Sequence, residues 1–143
     1  MKYLFVGDIV GKGGREAVKA IVPELRREFG IAFVVANGEN MAGGGGMTRK
    51  CIEELKDSGV DVFAGGDHIW DQKELVAEIP GLKNVLRPAN LPPGQPGVGW
   101  RIVPVPIGGE VLVISLLGRV FMKHHVDCPF RTVDAILAEA RGR

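Results

Sequence analysis

Three short hydrophobic runs, at residues 3–6, 32–36 and 60–64, set the rhythm of this chain. Each has the length and the β-branched or aromatic content of a strand, and each is followed at once by glycine or asparagine. Stretches of helical period fill the gaps. From Arg15 to Phe29 the apolar positions Val18, Ile21, Val22, Leu25 and Phe29 follow helical spacing, and Pro23 predicts a kink or a restart among them. Thr48 predicts the N-cap of a second helix carrying Ile52 and Leu55 and ended by Gly59. Asp71 predicts the start of a third, through Leu75, Val76 and Ile79 to a stop at Pro80. Strand, helix and strand in this order predict βαβ units.

The pattern changes at residues 87–99, where four prolines and three glycines exclude a helix or a central strand. This segment reads as a surface loop. Beyond it, residues 100–106 alternate as a strand, Gly108 and Gly109 offer a hairpin turn, and residues 111–117 are almost wholly apolar. That last run predicts a strand buried on both faces. Residues 130–140 form an amphipathic helix with Val133, Ile136, Leu137 and Ala140 on one side. The fold class is α/β: a layered sheet of mostly parallel strands with flanking helices, in a single domain over residues 1–143. A helix after a buried strand ordinarily leads to another parallel strand. Here only Gly142 and Arg143 remain near it, so the domain is expected to be truncated at its C-terminal side.

Composition narrows the functional classes. A net charge of +1 gives no call for nucleic acid or an anionic membrane. No apolar run approaches the roughly 18–20 residues of a membrane span, and the first residues read as a strand, not a signal peptide. Cys51 and Cys128 fit no Cys-x-x-Cys pattern and make no disulfide framework. The expectation is a cytoplasmic protein with no membrane partner.

Candidate chemistry sits just past the predicted strands. Asp8 follows the first, Glu39 and Asn40 the second, Asp67 and His68 the third. Parallel strands deliver these residues to one sheet edge, where open α/β folds bind ligands. Carboxylates and an imidazole gathered there would repel one another without a cation among them. Carboxylate oxygens favour hard divalent metals, and imidazole extends the choice to iron, zinc or manganese. Glu39, between Asp8 and Asp67 in chain order, is best placed to bridge two ions, an arrangement that serves phosphate-ester hydrolysis. Asn40 can add a carbonyl oxygen or orient water, and His68 can protonate a leaving alkoxide. Each residue also has a plainer reading, as a turn or a hydrogen-bonded structural group. Their joint occurrence favours the metal site.

Other features are weaker. The glycines at 43–46 precede the Thr48 helix but do not match a P-loop, and Gly11, Gly13 and Gly14 fail the dinucleotide pattern; both read as flexible turns that could line a pocket. His124 and His125, being adjacent, point apart and read as a solvated loop. Trp70 and Trp100 read as packing residues, either of which could border a base.

Four segments carry a family resemblance: Gly7-Asp8-Ile9-Val10-Gly11, Asn37-Gly38-Glu39-Asn40, Gly66-Asp67-His68-Ile69-Trp70-Asp71 and Leu86-Arg87-Pro88-Ala89-Asn90. With Gly118-Arg119 and Pro129-Phe130 they closely resemble the YmdB-type metallophosphoesterases of the calcineurin-like phosphoesterase superfamily, in order along the chain. The resemblance implies the first half of a calcineurin-like metallophosphoesterase fold and two divalent ions, iron or manganese. It implies phosphodiesterase activity on cyclic nucleotides such as 2′,3′-cyclic AMP. It makes Asp8 a ligand of the first metal, Glu39 the bridge, Asn40 part of the ligand shell, Asp67 a ligand of the second metal and His68 the proton donor. Two departures stand out. The family has Asn where this chain has Asp67, and it continues into a segment with three further histidine ligands that His124 and His125 do not match.

Two classes of function follow. The first is a metal-dependent phosphodiesterase whose shell is completed by homo-oligomerisation or by a complementing C-terminal segment. The second is a truncated, non-catalytic α/β module that acts through an exposed strand edge by self-association or protein binding. A nucleotide- or phosphate-binding domain without chemistry is a third, weaker reading.

Overall fold

The structure, a computed structural model, describes residues 1–142. Strands β1 (Lys2–Val6), β2 (Ile31–Asn37), β3 (Val62–Ala64) and β4 (Val85–Leu86) form a parallel sheet in that order. Helices α1 (Gly11–Phe29), α2 (Arg49–Asp57) and α3 (Lys73–Glu78) connect them. The chain then forms an antiparallel hairpin, β5 (Trp100–Pro104) and β6 (Glu110–Ile114), and ends in α4 (Pro129–Arg141).

The sheet is covered on both faces. Val34, Ala36, Phe63 and Val85 share one apolar cluster with Val18 and Val22 of α1 and Ile52 and Leu55 of α2. Ala32, Phe33, Val62 and Leu86 share a second cluster with Val105 and Val113 from the hairpin. β2, enclosed from both sides, is therefore a nearly continuous apolar run. β1 has a partner on one edge only, and Tyr3 and Phe5 are more than half exposed.

Helix ends follow local chemistry. The Thr48 hydroxyl accepts from the Cys51 N–H at 3.3 Å, and Gly59, at φ +99°, follows the C-terminal end of α2. α1 closes on Gly30 in the left-handed region, whose N–H donates to the Arg26 carbonyl. Glu54 of α2 accepts from Arg15 and Lys19 of α1, each at 3.0 Å, which clamps the two helices together.

Several expectations are corrected. α1 does not restart at Pro23; it runs unbroken from Gly11, and the glycines at 11–14 are its first turn. Gly14 allows that turn to close on Ile9, whose Cγ2 would lie 3.1 Å from an added Cβ. α3 begins at Lys73, because the Asp71 carboxylate engages His68, and a 3₁₀ turn (Ile79–Gly81) carries the chain past Pro80. β6 is not a central strand buried on both faces. It pairs with β5 alone, so Val113 is buried while Val111, Leu112 and Ile114 stay half-buried. Of the apolar side of α4, Ile136 is buried and Leu137 is 37% exposed. No helix among the described residues is long and apolar enough to cross a membrane. Arg143 lies outside the described residues.

Candidate active site

Register decides which residues meet. Val6 lies opposite Ala36, Asn37 opposite Ala64, and Ala64 opposite Leu86. The turns carrying Asp8, Glu39, Asp67 and Arg87 therefore leave the sheet along its C-terminal edge. Backbone bonds tie the first two turns together: the Ile9 N–H donates to the Asn37 carbonyl at 3.0 Å and the Gly11 N–H to the Asn40 carbonyl at 2.9 Å.

Asp8 and Asn40 form one unit. The Asn40 amide nitrogen donates to both oxygens of the Asp8 carboxylate, at 2.9 and 3.1 Å. A half-turn of that amide would present its oxygen alongside the carboxylate, which suits a cation held between the two.

Glu39 forms the centre. Its N–H donates to the Asn37 side-chain oxygen, and the Asn37 amide donates back to Glu39 Oε1, both at 3.0 Å. The His68 N–H donates to Oε2 at 3.2 Å. A Cβ at Gly66 would collide with this carboxylate, so the glycine is what allows Glu39 to lie against the turn bearing Asp67 and His68.

His68 and Asp71 form the third unit. His68 Nδ1 lies 2.6 Å from Asp71 Oδ2, while Nε2 lies 3.9 Å from Asp67 Oδ2. The imidazole pKa is raised, first by the Asp71 hydrogen bond and then, against the effect of burial, by the charges of Asp67, Asp71 and Glu39. His68 remains 43% exposed, so this arrangement is open to solvent and ligand.

The expected residues thus line one edge in three linked units. They are not drawn into a single knot: among the described residues, no three carboxylate, imidazole or thiolate groups come together as a ready metal cluster. The donor set still fits hard cations by its chemistry, with three carboxylates and one amide available.

Sequence reasoning missed two participants. Asp71 was read as a helix start, although its spacing from His68, three residues on, is the signal of a local side-chain pair. His124, read as part of a solvated loop, is indeed exposed, but its Nε2 lies 3.1 Å from the Asp67 carbonyl oxygen. The loop it rides on is tethered through Asn90, whose amide donates to the Leu117 and Asp127 carbonyls. The glycines at 43–46 form a turn. Gln72 pins the turn by donating to the Gly45 carbonyl at 2.7 Å, and a Cβ at Gly45 would sit 2.9 Å from Asp71 Oδ2. They let the turn pack behind the Asp71–His68 pair.

Comparison with known proteins places the chain in a family. Residues 4–143 match the family described as YmdB-like protein. The chain belongs to the YmdB-like family. It is 43% identical over 143 residues to a Bacillus subtilis protein named 2′,3′-cyclic-nucleotide 2′-phosphodiesterase, covering all of this chain and 53% of that one. A crystal structure of a hypothetical protein from Thermus thermophilus superposes with TM-score 0.89 at 40% identity, covering 97% of this chain and 53% of that one. A crystal structure of a novel phosphatase from Mycoplasma pneumoniae gives TM-score 0.88 at 28% identity, covering 97% and 51%. The chain spans about half the length of these three relatives. Its parallel sheet with flanking helices is the expected portion of the metallophosphoesterase fold.

Proposed function

We propose that this YmdB-like chain carries part of the ligand shell of a metal-dependent phosphodiesterase acting on cyclic nucleotides such as 2′,3′-cyclic AMP. The observation that carries this reading is the line from Asp8–Asn40 through Glu39 to His68–Asp71 along one strand edge, with the Asp67 carboxylate 3.9 Å from His68 Nε2. Asp8 and Asn40 would hold one divalent ion, Asp67 a second, and Glu39 would bridge them. The chemistry supplied by such ions, iron or manganese, is polarisation of the phosphoryl oxygens and acidification of a water.

The chain's own groups do the rest. Asn37 and the His68 N–H orient both oxygens of Glu39. Asp71 holds His68 through Nδ1, which leaves Nε2 to carry the proton to the departing alkoxide, and the Asp71 hydrogen bond raises the imidazole pKa in the direction that favours the protonated form. The remaining ligands are contributed by a complementing C-terminal segment or a second copy of the chain. The two free cysteines suit a reducing cytoplasm.

Hydrolysis of 2′,3′-cyclic AMP with iron or manganese present is the test. His68→Ala should lower turnover by about a hundredfold or more. Absence of hydrolysis with every metal, both alone and with a complementing C-terminal half, removes the proposal in favour of a non-catalytic module. Asp67→Asn should loosen the metal and quicken turnover, because it removes one negative charge from the site. Unchanged rate and affinity would count against a ligand role for Asp67.

A further inference from the structure

A cavity of about 570 Å³ opens between α2, the 3₁₀ turn and β5. Asp61 and Asn84, on its wall, stand just before β3 and β4. The cavity therefore lies at the edge of the sheet opposite the turns that carry Asp8, Glu39 and Asp67. Ile52, Val62, Leu82, Ile102 and Val103 give it an apolar lining, with no aromatic ring among the described residues around it. Cavities of this size, mostly apolar with a few polar groups, take small organic molecules.

Charge is not balanced around this lining. Two carboxylates border it, and each is already engaged: Asp61 accepts from Arg26 and from the Val34 N–H, and Glu53 lies 3.9 Å from Arg49. Arg49 also meets Glu78 at 3.5 Å. The cations that remain are Lys56, Lys83 and Arg101, none of which forms an ion pair among the described residues. Arg101, half-buried, is set deepest of the three. It lies opposite Val113 in the hairpin, and Val113 is buried in the second apolar cluster, so the Arg101 side chain leaves β5 on the face turned to the parallel sheet. Its Nε and the Asn84 Nδ2 are sealed from solvent without a partner. Donors left in that state cost free energy, which an acceptor brought among them offsets. Lys56 and Lys83 are exposed, which lets their stems lie along the apolar lining and their ammonium groups stand at its mouth. Charge of one sign over an aliphatic floor selects an anion with an aliphatic body.

We propose that this cavity binds an aliphatic organic anion, its chain on Ile52, Val62, Leu82 and Ile102 and its headgroup among Lys56, Lys83 and Arg101. The site needs no metal and is independent of the proposed phosphodiesterase chemistry.

The test uses the whole chain in buffer containing a chelator, so that no metal-held anion contributes. Octanoate, octanol and inorganic phosphate are titrated by calorimetry. Octanoate is expected to bind saturably at about millimolar affinity or tighter, and about tenfold or more tightly than the other two, because octanol lacks the charge and phosphate lacks the chain. Lys83→Ala and Arg101→Ala should each weaken octanoate about fivefold or more. Arg101→Lys should recover part of the loss, since the charge returns. Lys123→Ala removes an equal charge from the loop bearing His124, outside the cavity lining, and should leave binding unchanged. Lys83 and Lys123 are both exposed, and circular dichroism checks that every variant folds. No saturable octanoate binding, octanol or phosphate bound as tightly, binding indifferent to both Lys83 and Arg101, or an equal loss with Lys123→Ala would overturn the proposal.

Discussion

On one face of the parallel sheet, α1 and α2 bury Val18, Val22, Cys51, Ile52 and Leu55 against Val34, Ala36 and Phe63. Beside the hairpin on the other face, the 13 residues of α4 bury only Ile136, and Phe130 stands 79% exposed. Isolated helices of about this length are marginal in water, so the packing behind a helix decides its stability. The comparison separates two kinds of construction. The turns that carry Glu39 and Asp67 spring from the enclosed strands β2 and β3, while the turn that carries Asp8 leaves the edge strand β1. The loop bearing His124 lies between the two kinds: Met122 and Val126, half-buried, pack against the first cluster before the chain enters α4.

Substitutions should reveal that difference directly. Phe63→Ala, at a fully buried position, is expected to cost about 3–5 kcal/mol in urea unfolding, whereas Leu137→Ala in α4 should stay within about 0.5 kcal/mol. A comparable loss at both positions would break the comparison. Gly66→Ala should come next, at about 1–3 kcal/mol, because its new Cβ drives into the Glu39 carboxylate. It should also displace Glu39, which a crystal structure of the variant would record; an unmoved carboxylate would refute the role given to this glycine.

Ser115→Ala sharpens the picture of how the layers join. Its buried hydroxyl donates to the Gly65 carbonyl at 2.8 Å, linking the segment after β6 to the turn before Asp67. Losing that bond should cost about 1 kcal/mol, measured by urea unfolding. The smallest effect is expected at the α1–α2 clamp. Glu54 has its pKa lowered first by the Lys19 hydrogen bond and then by that of Arg15. A depressed carboxylate pKa contributes stability above its unfolded value and loses it as pH falls through the folded value. Glu54→Gln should therefore lower the melting temperature slightly at neutral pH and make little difference in strong acid. An equal effect at both would mean that packing, not charge, is what the side chain supplies.

The two layers also differ in how plainly they can be read from sequence. β1, β2 and β3 were legible because each apolar run ends in a turn residue, and the Thr48 cap and Gly59 exit mark α2 at both ends. β4 went unread because Val85 and Leu86 alone are too short for a period to show. The apolar run at 111–117 misled for a different reason: hydrophobicity reports burial somewhere, not the number of neighbouring strands. The glycines at 11–14 misled as well, being the first turn of α1, while those at 43–46 do form a turn. The close approach of residues 45 and 46 to Asp71 and Gln72 depends on tertiary contacts that no local pattern contains.

The candidate site shows the same division. Asp8, Glu39, Asn40, Asp67 and His68 share an edge because strand register puts them there, and register follows from the pattern. Their grouping into three units does not. It depends on where the Asn40 amide and the His68 ring turn once the chain is folded.

Metal binding tests the central claim most directly. The chain, purified without oxygen in the presence of iron and manganese, should retain divalent metal in fixed proportion to protein, and Glu39→Ala should abolish that retention while Arg131→Ala leaves it intact. No metal retained by the unaltered chain, or equal retention by Glu39→Ala, would contradict the account.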